Sequence, residues 1–198
     1  MIDEKFVFIG VALGLLGSIK YCVDTLKGKT KPNRISWFFW ALAPLIAFFA
    51  EIQKDVGLQV WMTFSVGFGP LLIFFASFFN RKSYWKLKSI DYFYGGLSLI
   101  GLVIWQITGE GNIAILFSIL ADGFASIPTI IKSYKNPETE SSTIYLFSMI
   151  NAFITLLTIN TWNFAHWGYP IYIFIDCLII FLLVKFRLGK KTEDNNEV

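Results

Sequence analysis

Two aspartates lie in the middle of long apolar segments, where an ionisable side chain is costly. Asp122 lies in NIAILFSILADGFASIPTII and Asp176 in WGYPIYIFIDCLIIFLLVKF. Each segment has about 20 residues, the length of a helix that crosses a bilayer, so each carboxyl is expected near the midplane. A charged group there costs about 2.5–3.5 kcal/mol and usually faces a bundle interior or a watery cavity. A protonated packing residue is the alternative for either aspartate. Two acids at the same depth favour a functional site over packing residues.

Two further residues are expected at the same depth. Asn151 lies mid-way through the sixth apolar segment, and Trp40 lies deeper in the second segment than Trp37. A belt position at the membrane interface is the alternative for both tryptophans. We predict that Asp122, Asp176, Asn151 and Trp40 bind solute or protons in a central cavity. Such a cavity, with polar groups on one wall and an aromatic on another, suits a small polar solute.

Three prolines interrupt apolar segments, namely Pro44, Pro70 and Pro128. A proline frees backbone groups that a moving helix can use, so we predict hinge or gate positions at these residues. Prolines are also common in membrane helices, where they simply kink the chain. Both interpretations remain open for each of them.

The apolar residues arrive in blocks rather than in alternation, and they make up 55% of the 198 residues. This pattern predicts an all-α integral membrane protein with seven transmembrane helices. The connections are short, which leaves no room for a soluble catalytic domain. The blocks run at about 6–26, 35–51, 57–79, 90–108, 112–131, 143–161 and 167–186.

Basic residues fall almost entirely at one side of the predicted bundle. Of the 17 lysines and arginines, only Lys5 and Lys54 lie opposite. By the positive-inside bias, the N-terminus is outside and the C-terminus cytoplasmic, in a plasma (inner) membrane. Contact with anionic lipid accounts for the net charge of +3 without a nucleic-acid partner. Glu51 and Glu110 end helices at the outer surface and are expected to be solvated.

The seven segments divide as three, one and three. A shift of 108 residues lays the first three on the last three, and helix lengths, loop lengths and basic residues coincide. The fourth helix inverts the chain, so that the two triplets are parallel repeats. The predicted divisions are a first repeat with its cytoplasmic linker at 1–89, a linker helix at 90–111, a second repeat at 112–188, and a disordered cytoplasmic tail at 189–198.

A short motif at the end of the fifth segment carries a family resemblance. Ile127–Pro128–Thr129 is followed by Lys132, Ser133 and Lys135 and then by a Glu140–Ser141–Ser142 turn. This resembles the Pro-Gln, basic and Ser-rich pattern of the PQ-loop and SWEET transporter superfamily, whose seven helices are arranged three, one and three. Thr129 replaces the glutamine, and Lys20 replaces the proline in the first repeat.

The resemblance implies a membrane transporter for a small polar solute, working by alternating access around a midplane site. Desolvation favours the protonated form of a buried acid, so proton coupling is expected, while ionised acids would select a cation. The alternative is a non-transporting receptor or assembly factor of the same fold. No enzyme, cofactor or metal is expected, because HExxH, GxSxG and Walker-type motifs are absent and the chain has one histidine. Assembly into a homo-oligomer is left open.

Overall fold

The described residues form seven α-helices, close to the seven apolar blocks of the sequence. The structure, a computed structural model, describes residues 2–83, 85–108 and 110–189, and these ranges contain no strand. Apart from Gly189, the predicted disordered tail lies outside the described residues. Short 3-10 turns precede or connect several helices. The helices are α1 (Val7–Leu26), α2 (Arg34–Gln53), α3 (Val60–Ala76), α4 (Ser89–Thr108), α5 (Gly111–Lys135), α6 (Ser142–Thr158) and α7 (Phe164–Phe186).

Several helices are long and apolar enough to cross a membrane. Five candidate spans meet both criteria, and they contain α1, α2, α3, α5 and α7. Helix α6 is apolar but shorter, with 17 residues. Large apolar side chains such as Phe49, Phe75 and Ile175 are more than half exposed on the outside of the bundle. Such a surface is costly in water and suits contact with lipid, so the chain is an integral membrane protein.

Local signals fix where the helices begin. Asn33 caps α2, since its side-chain oxygen accepts hydrogen bonds from the N–H groups of Ile35 and Ser36 at 3.1 and 3.4 Å. At α7, the side chain of Asn163 accepts a hydrogen bond from the N–H of His166 at 3.3 Å. These bonds satisfy backbone donors that have no partner within the helix, and so they stabilise the first turn.

The helices pack in two groups of three plus one. Helix α3 packs against both α1 and α2, and α7 packs against both α5 and α6. The two groups meet mainly through two interfaces, α1 against α6 and α2 against α5. Helix α4 packs mainly against α5 and also touches α2.

Loops meet at two opposite ends of the bundle. At one end, which we call the basic end, the start of α2 contacts the end of α3, because Nη2 of Arg34 donates to the carbonyl of Ser77 at 2.7 Å. The side chain of Asn80 donates to the carbonyl of Leu26 at 2.7 Å, which joins the α3–α4 loop to the end of α1. At the other end, Gln59 donates to the carbonyl of Thr158 at 3.1 Å. The helices therefore alternate in direction.

Glycines let α1 approach α6 closely. A Cβ at Gly10 would lie 2.4 Å from Oδ1 of Asn151 and 3.0 Å from its Cα, and a Cβ at Gly14 would lie 3.2 Å from Nδ2 of the same residue. At Gly17 a Cβ would lie 3.2 Å from Cα of Ile144. Small residues at such contacts are typical of helix pairs in membranes. This approach places the Asn151 amide directly against the backbone of α1.

Candidate functional site

Six helices surround a cavity in the middle of the bundle. Its volume is about 50 Å³, which by the ~10–15 Å³ that one water needs would hold a few water molecules. Among the described residues, α4 contributes nothing to its wall. The lining contains Asp122, Asp176, Asn151 and Trp40, so the structure brings the four predicted site residues together. The other polar and aromatic residues in the wall are Ser18, Trp37, Ser65, Tyr145 and Ser148.

The two acids face the same cavity from neighbouring helices. Asp122 of α5 is 1% exposed and Asp176 of α7 is 9% exposed, and their carboxyls interact electrostatically. The hydroxyl of Ser126, next to Asp176, donates to the carbonyl of Gly123 at 3.0 Å. The hydroxyl of Tyr172, next to Asp122, has no hydrogen-bond partner among the described residues. Within the described part of the chain, Oδ1 of Asp122 has no hydrogen-bond partner. An oxygen left in this way can bind a proton or a polar ligand.

The amide of Asn151, on α6, forms another part of the wall. Its Nδ2 donates to Oγ of Ser65 at 3.1 Å, and that hydroxyl donates to the carbonyl of Met62 at 2.8 Å. The bonds hold the amide in place between α6 and α3. Its Oδ1 is buried and finds no partner among the described residues. The described residues therefore leave one amide oxygen and one carboxyl oxygen without a partner, and the amide oxygen lies against α1 at Gly10.

Aromatic rings form the part of the wall nearest the basic end. Nε1 of Trp40 donates to the backbone carbonyl of Asp122 at 3.3 Å, which ties α2 to α5 at the level of the acid. Trp37 meets Trp40 edge to face, with ring centroids 5.0 Å apart, and Tyr145 lies 6.5 Å from Trp40. Both tryptophans are buried in the protein. The belt position considered for them is therefore wrong.

A buried ion pair lies beyond these rings, at the basic end. Lys132 of α5 pairs with Glu140 in the α5–α6 connection, and both side chains are fully buried. Glu140 also accepts hydrogen bonds from the hydroxyls of Tyr21, at 2.8 Å, and Tyr145, at 3.0 Å. Nζ of Lys132 donates to the carbonyl of Lys31 at 2.5 Å. Because these residues come from both groups of helices, the ion pair and its partners join the two groups at this end.

The three predicted hinge prolines lie at different distances from the cavity. Pro70 of α3 is part of its wall. Pro44 is inside α2 and buried, and Pro128 is inside α5, beside a separate cleft at the basic end. Helix α7 also contains a proline, Pro170, which the sequence analysis did not single out.

No family model, curated protein or solved structure gives a significant match to this chain. Among the described residues, no cluster of histidine, cysteine or acidic side chains could hold a metal ion.

One acid is placed differently from the sequence expectation. Glu51 was expected to be solvated, but it is 1% exposed, in the last turn of α2. The expectation failed because it used only the nearness of Glu51 to a helix end. A signal was present in the spacing, since Ala43, Ala47 and Glu51 share one helical face and the alanines are fully buried. Glu110 is exposed, as expected.

Proposed function

We propose that this protein transports a small polar solute across the membrane, with Asp122 and Asp176 as proton- or cation-binding groups at the central site. The observation that carries the proposal is the shared cavity. Two buried acids, an amide with an unused oxygen and an indole surround one small space between six helices. Ionisable residues kept at membrane depth usually mark a solute, ion or proton pathway.

The packing pattern supports two parallel repeats joined by α4. Exchanging α1, α2 and α3 for α5, α6 and α7 leaves the main contacts unchanged. The α1–α3 and α2–α3 contacts become α5–α7 and α6–α7, while the α1–α6 and α2–α5 interfaces exchange with each other. In transporters built from such repeats, the solute site lies at the interface between them, where this cavity lies.

The lining positions also support the repeat. A shift of 108 residues pairs Gly14 with Asp122, and it pairs Trp37 and Trp40 with Tyr145 and Ser148; all of these line the cavity. In the third helix of each repeat, a shift of 107 residues fits better. That shift pairs Val66 with Ile173 and Pro70 with Cys177, which also line it.

The charge distribution supports an orientation with the basic end in the cytoplasm. The described lysines and arginines other than Lys5 and Lys54 belong to the loops and helix ends that meet there. Under the positive-inside bias, the proposed orientation has the N-terminus outside and the C-terminus inside a plasma (inner) membrane. The lipid bilayer is then the first partner of the protein.

Alternating access fits the way in which the two groups are joined. Movement of one repeat against the other would open the basic end by separating Glu140 from Tyr21, and would leave each repeat intact. The prolines inside α2, α3 and α5 free backbone groups where bending would occur. The present conformation, with the Tyr21–Glu140 hydrogen bond formed, corresponds to a protein closed to the cytoplasm. Because the cavity holds only a few waters, a larger solute enters only after such a movement.

Solute-induced proton flux tests the proposal. The purified protein is reconstituted into liposomes that contain a pH-sensitive dye, and glucose, alanine, L-lysine or choline is added outside at matched osmolarity. We expect at least one of them to induce acidification or alkalinisation that protein-free liposomes do not show. If none moves protons or enters as a labelled compound, while a soluble partner binds the same vesicles, the protein is a receptor rather than a transporter.

A further inference from the structure

A second cleft lies at the basic end, between the start of α4 and the end of α5, and it shares no described lining residue with the central cavity. Its volume is about 110 Å³. We call it the lysine cleft, because its wall contains Lys88, Lys132 and Lys135. The other residues of the wall are Trp85, Ile90, Asp91, Pro128, Ile131 and Asn136. Several cations around one concave surface favour an anionic ligand.

Two of the three lysines are available to such a ligand. Lys88 lies one residue before α4, Lys135 lies in the last turn of α5, and both are exposed. Neither ammonium group has a hydrogen-bond or ion-pair partner within the described part of the chain. By contrast, Lys132 is fully buried and is paired with Glu140. An anion in the lysine cleft would therefore be bound by Lys88 and Lys135.

The acid in the wall, Asp91, is already engaged by other groups. It is 2% exposed. Its Oδ1 accepts a hydrogen bond from Nδ2 of Asn33 at 2.7 Å, and its Oδ2 accepts one from the backbone N–H of Lys88. These bonds join the start of α4 to the start of α2 and fix the wall of the cleft. Because Asp91 is buried, the exposed charge of the cleft is positive.

The apolar part of the wall lies deeper in the membrane than the exposed lysines. The basic end is at the C-terminus of α5, so Pro128 and Ile131 precede Lys135 on the way out of the bilayer. With 1.5 Å of rise per residue, Pro128 lies roughly 10 Å deeper than Lys135. On α4, Ile90 lies likewise deeper than Lys88 and is 41% exposed. The cleft is thus cationic at the level of the headgroups and apolar at the level of the acyl chains.

Trp85 supports this assignment of levels. It is half-buried in the loop before α4, and Nζ of Lys132 lies 5.1 Å from the centroid of its ring. Tryptophan is enriched at the boundary between headgroups and hydrocarbon, because its ring is apolar and its N–H donates to polar groups. The polar part of the lysine cleft therefore lies where a phospholipid carries its phosphate.

We propose that the lysine cleft binds one anionic phospholipid from the leaflet at the basic end. Its phosphate lies at the ammonium groups of Lys88 and Lys135, and an acyl chain lies along Pro128 and Ile131. Basic pockets between membrane helices on the cytoplasmic side are suited to anionic headgroups. A free phosphate would use the lysines but would leave the apolar wall uncovered, so the shape and the charge together favour a lipid. The site goes beyond the proposed function, because a lipid can bind there whether or not a solute is transported.

Native mass spectrometry of the full chain in a nonionic detergent tests the site. The protein is titrated with phosphatidylglycerol or with phosphatidylcholine of the same acyl chains, and we expect the first phosphatidylglycerol to bind more tightly. The double variant Lys88→Gln/Lys135→Gln should weaken that binding by about 25-fold, since each lysine near an anionic headgroup contributes about fivefold.

A matched control removes the same charge from the same end of the bundle. Lys27 and Lys185 are exposed at the ends of α1 and α7 and do not line the lysine cleft. Lys27→Gln/Lys185→Gln should therefore leave the affinity within about twofold, because charges beyond a Debye length are screened. Substitutions of exposed lysines are well tolerated, so both double variants are expected to fold.

Three results would overturn the proposal. Equal losses in the two double variants would mean that phosphatidylglycerol binds by diffuse attraction to the basic end. Equal affinities for phosphatidylglycerol and phosphatidylcholine would mean that the headgroup charge is not recognised. Displacement of the bound lipid by inorganic phosphate or by glycerol phosphate, which lack acyl chains, would assign the cleft to a free anion instead.

Discussion

Asp122→Asn is expected to reduce solute-induced proton flux to the level of protein-free liposomes while the protein remains folded. Asparagine keeps the shape of the side chain but cannot gain or lose a proton. Asp122 is almost completely buried in the cavity wall, and one of its oxygens has no partner among the described residues. Because its backbone carbonyl accepts the Trp40 hydrogen bond, the substitution leaves that contact between α2 and α5 in place.

Asp176→Asn is also expected to reduce solute-induced proton flux, because the two carboxyls interact in one cavity. Glu110→Gln is the control, because it removes an acid that is exposed outside the cavity. Helical content and a monodisperse elution profile establish that each variant is folded. Unchanged flux in both aspartate variants would contradict the proposed role of the acids.

Lys132→Met is expected to cost about 3–5 kcal/mol of unfolding free energy, because it leaves Glu140 buried without its cation. Glu140 would retain only the hydroxyls of Tyr21 and Tyr145 as donors. Methionine fills much of the volume of the lysine stem, so the loss reports the charge rather than a cavity. The measurement is the free energy of unfolding in lipid bicelles.

Two further variants serve as controls for that measurement. Lys20→Met removes a more exposed ion pair, Lys20–Asp24, whose lysine is 52% exposed, and should cost at most about 1 kcal/mol. The double variant Lys132→Met/Glu140→Gln should recover most of the loss, because no unpaired charge remains. Equal costs for Lys132→Met and Lys20→Met would show that the buried pair does not hold the basic end together.

Hydropathy alone predicted the helices well, since a run of apolar residues fixes where a span can lie. The ends depended on other interactions. The fifth block was predicted to stop at 131, where the charged residues begin, yet α5 continues to Lys135. It continues because Lys132 is buried by Glu140 and by the carbonyl of Lys31, and both come from other parts of the chain.

The site likewise divides into residues that the local sequence reveals and residues that only tertiary contacts reveal. Asp122, Asp176 and Asn151 could be found from the sequence, because a polar residue in the middle of an apolar segment is anomalous by itself. Glu51 and the Lys132–Glu140 pair lie near helix ends, where charge is normal. Their burial follows from tertiary contacts that no local pattern contains. These contacts close the basic end of the bundle and bury Glu51 near the opposite end.

The accessibility of Cys177 tests alternating access most directly. Its side chain lines the cavity, and Cys22 is the only other cysteine. In the Cys22→Ser protein in sealed proteoliposomes, a small charged methanethiosulfonate is added to one side or the other at several pH values. We predict that Cys177 reacts from both sides and that the ratio of the two rates changes with pH; the ratio cancels the shared rise of the thiolate fraction with pH. No reaction from either side in folded protein, or a ratio that does not change with pH, would contradict a central site opened alternately to the two sides.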